Sequence, residues 1–281
     1  MSQELEPLRT VDASLVEDLT DLVARAAAAI LAIAPAALDT RLKADESPVT
    51  AADEAADAVI AQGLARLMPG VAVVSEEGGD RPAALGATFV LVDPLDGTKE
   101  FVKGLGEYTV NVAIIAGGEP IAGFIAAPAL GLLWRGVVGR GAERLGLDRA
   151  AAPITIRCRP APPDGLVAAA SRSHFGAATA AFLDRIGVAS RVSCGSSLKF
   201  CRVAEGAVDV YPRLAQISEW DIAAGHALVT AAGGVVTTPE GMPLRYGKAA
   251  QDYNVPGFIA WGDPTRRIDA AWPGSGRDFK E

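Results

Sequence analysis

The run Asp93-Pro94-Leu95-Asp96-Gly97-Thr98 constrains this chain more than any other stretch. It follows Thr88-Phe89-Val90-Leu91-Val92, whose length, β-branching and unbroken apolarity predict a buried strand. The sequence therefore predicts two carboxylates, three positions apart, leaving the end of that strand together in a turn whose backbone is fixed by Pro94. Such a turn can aim both side chains and the Leu95 carbonyl at one point, an arrangement of oxygen ligands that suits a hard divalent cation. A plain Asp-Gly turn is the competing explanation. With usage near 5% per residue type, five fixed positions match by chance in about one chain in ten thousand of this length, which weighs against that alternative.

Further acids stand at the ends of other elements. Val73-Val74-Ser75-Glu76-Glu77 reads as a short strand ending in acid. Ser218-Glu219-Trp220-Asp221 precedes an Ala-rich run closed by Gly233-Gly234, so Ser218 is expected to cap a helix with Asp221 in its first turn. Lys43-Ala44-Asp45-Glu46-Ser47-Pro48-Val49-Thr50 is a polar loop entering a helix over about 51–68, with Asp53 in its opening turns. Asp53, Glu76, Asp93, Asp96 and Asp221 are thereby placed at strand ends and helix starts, where one assembled site can form.

These motifs, in this order, resemble those of the lithium-sensitive, magnesium-dependent phosphatase superfamily typified by inositol monophosphatase and fructose bisphosphatase. Lys99-Glu100-Phe101, Ser47-Pro48-Val49-Thr50, Gly195-Ser196-Ser197-Leu198-Lys199-Phe200, Tyr211-Pro212-Arg213 and Trp220-Asp221-Ile222-Ala223-Ala224-Gly225 are most similar to the 3'(2'),5'-bisphosphate nucleotidase branch. The resemblance runs from about residue 40 to Phe258. It implies two or three Mg²⁺ ions. Glu76, Asp93 and the Leu95 carbonyl would hold one, and Asp93, Asp96 and Asp221 a second. It further implies a catalytic group of Thr98, Asp53 and Glu76, with Thr98 positioning a water and Asp53 accepting its proton. Gly97, Thr98, Ser196, Lys199, Arg213 and Asp221 are the implied substrate contacts. The implied activity is hydrolysis of the 3'-phosphate of adenosine 3',5'-bisphosphate to AMP and phosphate, extending to 3'-phosphoadenylyl sulfate and linked to sulfate assimilation. Inositol monophosphatase or fructose bisphosphatase activity is the alternative, and a non-catalytic metal-binding relative is a third reading.

Composition narrows the partners. At 281 residues, net charge −8 and pI near 4.9, the chain is a poor match for a nucleic-acid backbone or an anionic membrane; a small-molecule nucleotide is the partner the resemblance implies. Cys158, Cys194 and Cys201 form no Cys-x-x-Cys pair, and their odd number argues for reduced thiols. The first residues are acidic and lack the basic start of a signal peptide, and no uncharged stretch reaches the ~20 residues of a membrane span, so a cytoplasmic protein is expected, with peripheral membrane association left open. Arg172, His174 and His226 are weaker candidates for the site.

Helical periodicity opens with Ser14 and Glu17, which read as a capping box for a helix burying Leu15, Leu19, Leu22, Val23, Ala26 and Ile30. Strands are expected near 71–75, 88–93, 109–116, 121–126 and 131–138. After about residue 150 strands and helices alternate. The fold class expected is α/β, with an α+β half over 1–150 carrying an antiparallel sheet and most of the acids, and an α/β half over 151–281 carrying Asp221 and the nucleotide contacts. The resemblance implies a layered αβαβα sandwich.

Overall fold

A computed structural model of the chain describes residues 11–33, 41–42, 48–49, 51–78, 82, 85–171 and 176–267. The helices are α1 (Ala13–Leu31), α2 (Ala51–Leu67), α3 (Thr98–Val102), α4 (Ala177–Arg185), α5 (Leu198–Ala204) and α6 (Glu219–Ala231). The strands are β1 (Arg41–Leu42), β2 (Pro48–Val49), β3 (Ala72–Ser75), β4 (Thr88–Asp96), β5 (Thr109–Ala116), β6 (Glu119–Ala127), β7 (Leu132–Val137), β8 (Gly141–Gly146) and β9 (Ile154–Ile156). The rest are β10 (Leu166–Ser171), β11 (Val188–Cys194), β12 (Val210–Arg213), β13 (Ile217–Ser218), β14 (Val235–Thr237), β15 (Asn254–Val255) and β16 (Phe258–Trp261).

Strands β3 to β9 form one sheet in sequence order, antiparallel throughout except for the parallel β3–β4 pair. The tightest connection joins β5 and β6 by Gly117-Gly118 alone, both at positive φ, the primed turn that matches strand twist. The last strand, β9, comes from beyond residue 150. A second sheet has the order β11-β10-β12-β16-β14, parallel around β10 and antiparallel around β16.

Alternation along the strands divides the apolar side chains between faces. On β4 and β5, Val90, Val92, Val110, Val112 and Ile114 pack with Leu19, Leu22, Val23, Ile60 and Leu64 of α1 and α2. The opposite face, with Phe89, Leu91, Ala113 and Ile115, packs with Phe200, Cys201, Ile222 and Leu228 of α5 and α6, which also meet Tyr211 and Phe258 of the second sheet. The far face of that sheet buries Phe182 and Leu183 of α4 against Val210, Ile259 and Trp261. The layers are helix, sheet, helix, sheet, helix, as the αβαβα expectation has it.

Two helix starts differ from expectation. The N-cap of α1 is Asp12, whose Oδ1 accepts from Leu15 N–H at 2.8 Å; Ser14 lies inside the first turn, and Glu17 pairs with Arg135 and Arg149 instead. Ser218 occupies the N-cap of α6 but makes no side-chain cap. The Glu219 N–H there donates to Tyr253 O at 2.7 Å, and the buried Glu219 carboxylate accepts from the Gly247 and Lys248 N–H groups. A tertiary loop thus does the work a capping serine does in an isolated helix.

Candidate active site

The Asp93–Asp96 segment is not a turn after a strand: β4 runs through it. Asp93 still pairs with Asn111 and Asp96 with Thr109, while the register shifts between them. Pro94 lacks an N–H and cannot join a ladder, so the two residues between the acids bulge out of the pairing. Within the bulge the Leu95 N–H donates to Asp93 Oδ1 at 3.0 Å, which fixes that carboxylate and leaves Asp93 Oδ2 buried with no donor. Gly97 then turns the chain at φ 93°, into space where a Cβ would meet Glu107 O at 3.1 Å. Glycine fits both demands.

Glu76 follows β3 and extends its pairing through a 3.1 Å bond from its N–H to Val92 O, which brings its side chain beside Asp93. Asp221 reaches the same point from the first turn of α6. One oxygen from each of Glu76, Asp93 and Asp221 lies within 4.8 Å of the others. Leu95, Asp96, Gly97, Thr98, Ser196, Lys199 and Arg213 line the same cavity, of about 340 Å³. Asp53 stands behind it: almost fully buried, it accepts from Thr98 Oγ1 at 3.1 Å, and that hydroxyl also lies 3.2 Å from Leu95 O. Ser171, Tyr211 and Glu100 line the cavity as well and were not anticipated. Arg172 and His174 lie outside the described residues. His226 is away from the cavity, sharing a hydrogen bond with Tyr246 Oη at 2.9 Å, and burial holds its imidazole down at about 3.

The electrostatics are those of crowded acids. Burial, then the charges of Glu76, Asp96 and Asp221, hold the Asp93 carboxyl well above the usual carboxylate range. Burial raises Asp221 likewise, followed by Asp96 and Glu76, with Arg213 opposing. Asp96 is pushed up to about 6 by burial, against the pull of the Lys199 charge and the Ser197 N–H. Lys199 itself is buried; its Nζ donates to Ser196 O at 2.6 Å and Cys194 O at 3.2 Å and sits 5.2 Å above the Tyr211 ring. Arg213 Nε is buried in the cavity wall with no acceptor. Several ionisable oxygens facing one point, one of them without a donor, fit a hard divalent cation, which relieves their mutual repulsion.

The model of the inositol monophosphatase family matches residues 4–262. The chain belongs to this family. Among curated members, the 3'(2'),5'-bisphosphate nucleotidase CysQ of Escherichia coli (strain K12) is 44% identical over 224 residues, 79% of this chain and 88% of that protein. The histidinol-phosphatase of Mycobacterium tuberculosis is 34% identical over 229 residues, 76% of this chain and 84% of that protein. The crystal structure of CysQ from Bacteroides thetaiotaomicron, described as a bacterial member of the inositol monophosphatase family, superposes with a TM-score of 0.75 at 35% identity, covering 89% of this chain and 98% of that one. Enzymes of the inositol monophosphatase family are metal-dependent, in keeping with the acid cluster. Among the described residues, no helix is long and apolar enough to cross a membrane.

Proposed function

We propose that this chain is a Mg²⁺-dependent phosphatase that removes the 3'-phosphate of adenosine 3',5'-bisphosphate, yielding AMP and phosphate, with 3'-phosphoadenylyl sulfate as a second substrate of the same chemistry. The observation that carries the reading is a cavity with carboxylates converging on one side and a guanidinium nitrogen without an acceptor, Arg213 Nε, in its wall. A phosphomonoester needs the first feature; a substrate with a second anionic group uses the other. Identity of 44% to a curated bisphosphate nucleotidase supports this choice of ester.

Glu76, Asp93, Asp96, Asp221 and the Leu95 carbonyl are the residues that would hold the metal. When bound, Mg²⁺ supplies Lewis-acid stabilisation of phosphoryl charge and acidifies coordinated water. The chain supplies the proton path. Thr98 Oγ1, donating to Asp53 Oδ1, keeps lone pairs that accept from a water beside the phosphate, and Asp53 is the terminus that takes the proton. Gly97 admits the phosphate close to the backbone. Arg213 holds the remote 5'-phosphate. Lys199, whose ammonium is engaged by Ser196 O and Cys194 O, acts on the substrate through the loop that carries Ser196.

Phosphate release with Mg²⁺ across a panel of esters tests the reading. Adenosine 3',5'-bisphosphate is expected to exceed inositol monophosphate, fructose bisphosphate and histidinol phosphate in kcat/KM, with inhibition by millimolar Li⁺. Preference for histidinol phosphate would transfer the assignment to the activity of the 34% identical relative. Charge-assisted hydrogen bonds are worth about 1.5–3 kcal/mol, so Arg213→Ala should lower kcat/KM on the bisphosphate about ten- to a hundredfold. It should barely change adenosine 3'-monophosphate, which lacks the group being held. Equal losses on both would remove Arg213 from the recognition role.

A further inference from the structure

Strand β5 is entered by three polar residues at alternate positions, Glu107, Thr109 and Asn111, before Ala113 and Ile115 continue the same face as apolar core. All three reach one turn of the chain, residues 195–197, on the other side of the cavity. Glu107 Oε2 accepts from the Gly195 N–H at 2.8 Å. Thr109 Oγ1 and Ser197 Oγ share a 2.7 Å hydrogen bond, and Ser197 Oγ donates to Asn111 Oδ1 at 2.6 Å. Thr109, Asn111 and Ser197 are at most 2% exposed, and Asn111 Nδ2 is buried without a partner. Apolar side chains would pack this seam at lower cost, so a polar seam with one donor unsatisfied calls for a reason beyond cohesion.

That reason lies in register and in what the turn carries. Thr109 stands directly opposite Asp96 on β4, and Asn111 opposite Asp93. Ser197 and Asp96 line the same cavity. The turn is pressed so tightly on β5 that a Cβ on Gly195 would lie 2.7 Å from Glu107 O. It also holds Ser196 at φ 47°, a left-handed conformation unfavourable to serine, with its Oγ buried and unpartnered in the cavity lining. Strain of this kind persists only where the surroundings over-determine it.

We propose that Glu107, Thr109 and Asn111 are positioning residues, which lock the 195–197 turn to β5 directly opposite the β4 segment that carries Asp93 and Asp96, setting the carboxylate geometry for metal binding. The inference rests on the metal-dependent phosphatase reading but not on the identity of the ester. Mn²⁺ binding to the full chain, followed by electron paramagnetic resonance of the free ion, tests it. Thr109→Val and Ser197→Ala should each weaken Mn²⁺ binding about tenfold, the low end of the scale for disturbing the supports around a ligand. Because both remove the same hydrogen bond, the double variant should be within about twofold of the poorer single. Thr109→Ser, which restores the hydroxyl, should recover most of the affinity. Parental Mn²⁺ affinity in Thr109→Val, even with a lowered Tm, overturns the proposal, as do multiplicative losses in the double variant or a parent that binds no Mn²⁺. Ser197→Ala leaves only a small gap and decides the matter if Thr109→Val does not fold. A parent that binds Mn²⁺ but leaves adenosine 3',5'-bisphosphate intact refutes the nucleotidase reading and leaves this inference standing.

Discussion

Residue by residue, the convergence of Glu76, Asp93 and Asp221 and the placement of Thr98 against Asp53 were legible because they depend on short motifs at the ends of recognisable elements. Lys199 lines the cavity as its motif led us to expect, while its bonds to Ser196 O and Cys194 O are made within its own loop, which only a folded turn reveals. At this scale, Asp93→Asn is expected to abolish phosphate release and weaken Mn²⁺ binding while the circular dichroism spectrum stays parental. The amide replaces a carboxyl raised by burial and then by three neighbouring acids with a neutral group that relieves their repulsion but offers a cation little. Near-parental turnover at saturating Mg²⁺ would refute the role given to Asp93. Thr98→Ala should lower kcat about 10²–10⁴-fold with little change in KM, the range for a lost proton-transfer group. Asp53→Asn acts through the same 3.1 Å hydrogen bond, so the double variant should be little worse than the poorer single. Steady-state kinetics that instead multiply the two losses would separate the residues into independent roles.

Elements were read well where periodicity is strong and poorly where tertiary contact overrides local signals. The β5–β6 hairpin and α2 came out close to their observed bounds because alternation and helical spacing are local. The motif strand was expected to end at Asp93, since proline and Asp-Gly signal a turn; pairing with β5 resumes at Asp96 and carries β4 past them. The polar face of β5 was present as the alternation Glu107, Thr109, Asn111, yet its meaning depends on the 195–197 turn, some 88 positions away in sequence. Helix α6 carries Asp221 to the site by lying hard against β6: a Cβ on Gly123 would sit 2.2 Å from Ala224 O, which is backbone and cannot swing aside. Gly123→Ala should therefore shift α6 and cost about 1–3 kcal/mol through overpacking. Calorimetry should record a Tm lowered by roughly 2–12 °C. Mn²⁺ binding should weaken with it, because Asp221 moves with the helix. An unchanged Tm and affinity would show that the sheet, not the helix, yields.

Across the whole molecule, the site is a store of electrostatic strain, and this makes stability depend on pH in a direction opposite to that of most carboxylates. Asp96 titrates at about 6 rather than near its ordinary value of 3.8, so between those values the folded chain binds a proton that the unfolded chain has released. The stabilisation from that proton is complete below about pH 4 and is lost as pH rises through about 6. Burial raises Asp93 and Asp221 further, so their protons extend the loss toward higher pH. Glu17 has the opposite sign: burial opposes ionisation, but its bonds to Arg149 and Arg135 outweigh that and lower its carboxyl, so its contribution falls away only at acid pH, below this window. His226, held neutral by burial down to about 3, also has the opposite sign, and its gain ends where the unfolded imidazole deprotonates near 6.5, so the metal-free protein is expected to lose Tm between pH 6.5 and 7.5. Mg²⁺ binds only the folded, deprotonated site, so the Tm it restores should be larger at pH 7.5 than at pH 5. Asp93→Asn, which removes one of the crowded acids, should flatten the metal-free slope and shrink the Mg²⁺ increment together. Differential scanning calorimetry across that range decides it, and a metal-free Tm that climbs with pH would mean that the acids are not in electrostatic competition.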